Sequence, residues 1–205
     1  MHTNNEVTTN QKKNSMRKVL FLSIAFLLAS GNFYAQNAVN FKVQEDGTFV
    51  NESDGKKFAI LSFEGISKND LYAKTLIGIT KIYNSPKDVI SKVEGDMISV
   101  NGIRQDCINY PWLFGSRIIF SIDYVLQFQF KDGKVRVEAP VITRCYNYQY
   151  QPDKLEYWIK AQKLFKNGEP NPKRKDVIND INTAANEIIN NILKNLDENS
   201  DENNW

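Results

Sequence analysis

The single histidine of this 205-residue chain is His2, in the leading tail. Beyond it there is no imidazole to complete a Ser-His-Asp or Cys-His relay. Nor is there one to ligate zinc or iron. The two cysteines, Cys107 and Cys145, are too few for a structural zinc site. They have two ordinary fates, a disulfide in an oxidising compartment or two buried free thiols. Spacing does not choose between them, because it does not fix the Cα separation. No residue is assigned a catalytic or metal-binding role, and no cofactor is implied.

Two other groupings have chemical content. Tyr146, Tyr148 and Tyr150 recur at strand spacing and, with Trp112 and Trp158, would form an aromatic surface for a sugar or peptide. The same spacing also describes an edge strand that packs its tyrosines under a helix or loop. Asp123 and Glu138 fall on the polar sides of neighbouring strands, the arrangement that glycoside hydrolysis uses. Here the register separates them by roughly 13 Å, too far to act on one bond, which leaves them as solvated surface acids. Lys154, Lys160, Lys163, Lys166, Lys173, Arg174 and Lys175 make a basic region that suits a solvated helix face, or an acidic polymer or anionic membrane.

The elements that must position these residues centre on Arg117 to Ile142. Ile118, Phe120, Ile122, Tyr124, Leu126, Phe128 and Phe130 alternate with mostly polar residues, the mark of a strand with one buried face. Asp132-Gly133 is a two-residue hairpin signal, since a type I′ turn needs positive φ at both positions. Closing there pairs Phe130 with Val135, Phe128 with Val137, Leu126 with Ala139 and Tyr124 with Val141. The extended register sets Cys145 opposite Phe120, Asp123 opposite Ile142 and Glu138 opposite Gln127. A bulge near Pro140 would reset it.

Around that hairpin the chain predicts a short hairpin at 40–50 about Asp46-Gly47 and a buried strand at 58–63. A helix starts at Ser67, with a capping box to Asp70, and ends at Ser85-Pro86. Its apolar face is Tyr72, Leu76, Ile79 and Tyr83, and Gly78 marks a close approach to the sheet. A second hairpin runs over 88–103. The pattern is lost from Arg104 to Ser116, where Tyr110 to Phe114 predict a loop folding back on the body. A helix over 152–166 carries Leu155, Trp158, Ile159 and Phe165. A longer one over 176–196 shows Val177, Ile181, Ala185, Ile188, Ile192 and Leu196 as one stripe. Residues 197–205 form an acidic, Asn-rich tail expected to be disordered. Helices that segregate from a mainly antiparallel sheet give an α+β class, with a curved sheet and the helices packed on one face.

Residues 1–15 are polar and patternless, and Met16 is a second candidate start. Met16-Arg17-Lys18 followed by VLFLSIAFLLA reads as the basic and apolar parts of a signal peptide over 16–35, with Ala35 at the cut. No cysteine follows to make a lipid anchor. A periplasmic or secreted protein is expected, not integral to a membrane after cleavage, with one domain over 36–196. Removing residues 1–35 takes Lys+Arg from 26 to 22 and Asp+Glu from 24 to 23, which turns a net +2 into about −1. That balance offers nucleic acid no electrostatic attraction.

From about Phe58 to Ile142 the chain resembles a domain of unknown function with a TATA-binding-protein-like (TBP-like) fold, common in exported proteins of Gram-negative bacteria. The resembling pieces are FAILSFEG, SKNDLYAK, KVEGDMISVNG and FQFKDGKVRVEAPVI. The resemblance implies the fold and no activity, because fold is not function. The expected role is a non-enzymatic module that binds a protein or glycan partner or belongs to the cell envelope. Such a module would show an exposed aromatic or apolar patch. The alternative is a small-ligand carrier or hydrolase with a cavity between sheet and helices.

Overall fold

The computed structural model describes residues 38–149 and 152–197. The expected leader and signal, Tyr150 and the tail beyond Asp197 lie outside the described residues. Strand β6 (Arg117–Lys131) is the spine of the main sheet. Strand β5 (Met97–Pro111) runs antiparallel along one edge of it. Strands β7 (Lys134–Glu138) and β8 (Val141–Tyr146) share the other edge, each taking one end. Strand β3 (Phe58–Ser62) pairs with β7, and β4 (Ile90–Val93) pairs with β5. The class is α+β with an antiparallel sheet, as expected.

The turn at Asp132-Gly133 is present, and Phe130 faces Val135 and Phe128 faces Val137. Beyond Glu138 the expected register fails. Pro140 has no N–H for the ladder and a fixed φ. The strand resumes one residue out of step, with Tyr124 facing Ile142 and Val125 facing Val141. A second shift between Asp123 and Tyr124 brings Arg144 opposite Asp123 and Cys145 opposite Ile122. Glu138 faces Phe58 of β3 instead of Gln127.

The segment expected to lose its strand pattern is strand as far as Pro111. Between Arg104 and Ile108, the three residues 105–107 of β5 stand against Ser121 alone, and Asp106 takes a φ of 51°. Two surplus residues disrupt the ladder, yet an even surplus keeps the alternation in phase. Ile98, Val100, Ile108 and Tyr110 therefore all reach the same buried face.

Helices α1 (Lys68–Ile82), α3 (Leu155–Gln162) and α4 (Lys175–Asp197) pack on that face, while α2 (Pro86–Val89) is a single turn before β4. Ser67 caps α1: its Oγ accepts from the Asp70 N–H at 3.2 Å and donates to the Asp70 carboxylate at 2.7 Å. Gly78 marks a close approach, but to α4 and not to the sheet. A Cβ there would overlap the Ile192 carbonyl oxygen and lie 3.0 Å from Asn195 Nδ2. All six residues of the α4 stripe are buried, joined by Ile178, Ala184, Ile189 and Leu193.

A small hairpin, β1 (Phe41–Val43) and β2 (Phe49–Asn51), turns at Gly47 as expected. The outer edge of β1 is paired by side chains. The N–H groups of Val43, Phe41 and Val39 donate to the amide oxygens of Asn182, Asn186 and Asn190 at 2.8, 2.8 and 2.9 Å. Asn186 and Asn190 donate back to the carbonyls of Phe41 and Val39 at 2.8 and 3.0 Å. Four helical residues rise about 6 Å and two strand residues about 6.6 Å, so the two periods keep step. Each carboxamide offers an acceptor and a donor, as a neighbouring strand would.

Candidate functional site

The β5–β6 ribbon closes with Pro111 opposite Arg117, and five residues, 112–116, cross its end. The crossing is tightly specified. The Trp112 N–H donates to the Ser116 carbonyl at 2.8 Å, and the Ser116 N–H and Oγ both donate to the Leu113 carbonyl, at 3.1 and 2.6 Å. Two left-handed residues follow one another, Phe114 at φ 56° and Gly115 at φ 78°. The loop expected to fold back therefore projects instead. Trp112 is 51% exposed, Leu113 62% and Phe114 fully exposed. Within that cluster only Tyr110 turns into the core.

The base of the ribbon is anchored by aromatic packing. The Tyr110, Phe120 and Trp158 rings meet edge to face at 5.1–6.4 Å between centroids. Trp158 projects from α3 into this cluster, so it is a core residue and no part of an aromatic surface. The Arg174 guanidinium lies over the Tyr110 ring at 4.5 Å. Arg117, across from Pro111, is exposed, as are Lys173 and Lys175 on either side of Arg174. Arg117 and Arg174 thus stand behind the apolar tip, and Lys173 and Lys175 flank Arg174 in sequence. Asp176 follows Lys175 in the chain, and Asp180 one turn on accepts from the Asn109 N–H at 2.8 Å.

The remaining aromatics of the sequence-based surface are not gathered with Trp112. Strand β8 stops at Tyr146, which is half-buried opposite Ser121 with Arg144 5.8 Å from its ring. The Asn147 side chain then accepts from the Gln149 N–H at 2.9 Å, a local turn that ends the strand. Tyr148 beyond it is exposed, and Tyr150 lies outside the described residues. Leu113 and Phe114 lie outside the aromatic set expected from the sequence. The signal that could have found them is a three-residue apolar run before a glycine, between two strands.

Cys107 and Cys145 are free thiols. One lies in the β5 bulge and the other on β8, with β6 between them. Two strand spacings are roughly 9–10 Å, beyond the ~7 Å that a disulfide spans. Burial pushes the Cys107 thiol up to about 11 and raises Cys145 as well, so neither is a ready nucleophile. Asp123 is not a solvated surface acid: it is buried and paired with Arg144. Glu138 is paired with Arg136 at 2.6 Å. Neither carboxylate is free to act as an acid or base.

A cleft of about 470 Å³ lies between the β5 bulge and α4, lined by Arg104, Asp106, Cys107, Asp180 and Glu187. Arg104 pairs there with Glu187 at 2.9 Å, and Asp180 accepts from the Asn109 N–H. Among the described residues no group of three or more His, Cys, Asp or Glu stands together to hold a metal ion. No described helix is long and apolar enough to cross a membrane.

No family model and no curated protein matches this chain. The crystal structure of a DUF4468 family protein from Bacteroides ovatus is similar in fold, with a TM-score of 0.52 over 69% of this chain and 85% of that one, at 16% identity. A TBP-like protein from Parabacteroides distasonis matches 68% of this chain and 90% of its own at 15% identity and a TM-score of 0.45. The first likeness bears out the expected fold and, at that identity, the fold alone.

Proposed function

We propose that the chain is an exported, non-enzymatic module that attaches to a component of the cell envelope through Trp112, Leu113 and Phe114. The observation that carries this reading is Phe114. A left-handed backbone costs a residue with a Cβ roughly 1–2 kcal/mol. Phe114 accepts that cost and is fully exposed, so the turn recovers nothing by burial. A turn serving stability alone would place glycine there. Isolated exposed apolar residues are ordinary. Three in a row on a hydrogen-bonded turn, mounted on a packed aromatic base, form an interaction element.

The carrier or hydrolase reading has less support. In its cleft at the β5 bulge Arg104 is paired with Glu187, and the thiol is held protonated. The reading in favour of the tip is tested by photo-crosslinking in cells. Phe114→p-benzoylphenylalanine is expected to give discrete adducts with envelope material, and the same change at exposed Tyr157 on α3 is expected to give none. Equal labelling from both positions, or none from position 114, would remove the tip from the function.

A further inference from the structure

The component that the tip engages can be narrowed by its shape and charge, an inference that rests on the reading above. We propose that the tip inserts into an anionic lipid surface, with Leu113 and Phe114 entering the acyl region and the exposed Arg117, Lys173 and Lys175 meeting the phosphates.

Three observations favour lipid over a protein groove. The apolar side chains are presented convexly at the end of a ribbon, with Phe114 fully exposed. A protein partner would need a pocket shaped to them, whereas hydrocarbon needs no matching shape. The residue types are ordered along the ribbon as a bilayer is layered. Leu113 and Phe114 come at the extremity, Trp112 is beside them, and Arg117 and Arg174 stand at the level of Pro111 and Tyr110. Trp favours the interface and Arg and Lys favour the headgroups. Finally, Arg117 stands at the base of the ribbon, Lys173 and Lys175 are exposed beside Arg174, and the Asp180 carboxylate is held by Asn109. A short apolar insertion and a basic collar are each weak anchors, and together they give reversible peripheral attachment.

The test is co-sedimentation of the purified protein with phosphatidylcholine vesicles, with and without phosphatidylglycerol, alongside light scattering without lipid. The wild-type protein is expected to sediment with the anionic vesicles and much less with the neutral ones. L113S/F114S is expected to abolish sedimentation while leaving the circular dichroism spectrum unchanged. K173E/K175E should weaken it by roughly fivefold or more per lysine, and added salt should do the same. The proposal is overturned if the folded wild type ignores anionic vesicles, or if L113S/F114S sediments as well as wild type. A dimer in light scattering that L113S/F114S dissolves would also overturn it, by making a second copy the occupant. Should vesicles fail while position 114 still crosslinks to an envelope protein, the lipid assignment falls and the attachment role of the tip stands.

Discussion

Tyr124 lies flat across Gly102, its neighbour on β5, so closely that a Cβ at position 102 would sit 2.5 Å from the Tyr124 Cζ. The glycine is the space that the ring occupies. Gly102→Ala must displace the ring into a packed core, and the expected loss is about 1–3 kcal/mol. A urea midpoint unchanged from wild type would contradict this packing. Gly78→Ala, at the crossing of α1 with α4, should cost a similar amount for the same reason.

The same ring sets a dependence on alkaline pH. Burial holds the Tyr124 hydroxyl far above its ordinary range, and its contact with the Tyr83 hydroxyl adds to this. Burial raises Tyr83 too, against the lowering effect of that contact. The native state therefore keeps protons that the unfolded state releases. The stability so contributed is complete below the unfolded value of about 10 and is lost as pH rises beyond it. Cys107, pushed up to about 11, acts with the same sign from about pH 9. Absorbance titration should show two tyrosines ionising only together with unfolding. Ionisation of every tyrosine below the unfolding pH would refute the assignment.

Thiol chemistry gives a second check on the sheet. Cys107 and Cys145 should count as two free thiols after denaturation, and should alkylate slowly in the native state. An intact mass lighter by two hydrogens before reduction would mean that β5 and β8 come closer together than the register allows.

The asparagines of α4 should be worth more than their polarity suggests. Asn186→Leu removes two hydrogen bonds to Phe41 and leaves its N–H and carbonyl without partners. A loss of about 2 kcal/mol is expected. Hydrogen exchange at Val39, Phe41 and Val43 should accelerate in that variant, while exchange in β6 keeps pace with global stability alone. Asn191→Leu, on the exposed side of the same helix, serves as the control.

At the ribbon tip, stability and attachment should move in opposite directions. Phe114→Gly relieves a left-handed backbone, though it loosens the unfolded chain. A change between neutral and about 1 kcal/mol of stabilisation is expected, with loss of the crosslink or of vesicle binding. A clear destabilisation would mean that the Phe114 side chain supports the fold.

Much of the molecule is legible in its residues, and the misses have definite causes. The β6–β7 hairpin can be read because alternation and Asp132-Gly133 agree on one register. Helix α4 can be read because its apolar stripe is unbroken. The bulge at 105–107 hides the second half of β5, since a period-two pattern interrupted by surplus residues looks like its end. Pro140 displaces β8 by a step that alternation cannot count. The tip departs from expectation because an apolar cluster ordinarily implies burial, and only the backbone conformation of Phe114 and Gly115 turns it outward. The pairing of Asn182, Asn186 and Asn190 with β1 could not be read, because it joins elements more than a hundred residues apart.

That pairing also governs when the molecule can be finished. Val39 meets Asn190 across 151 residues of chain. A ribosome delivers the first of these long before the second, so the front of the polypeptide stays unclasped through nearly all of synthesis. Only the arrival of α4 fastens it, and until then Val39, Phe41 and Val43 lack the partners that close their outer edge.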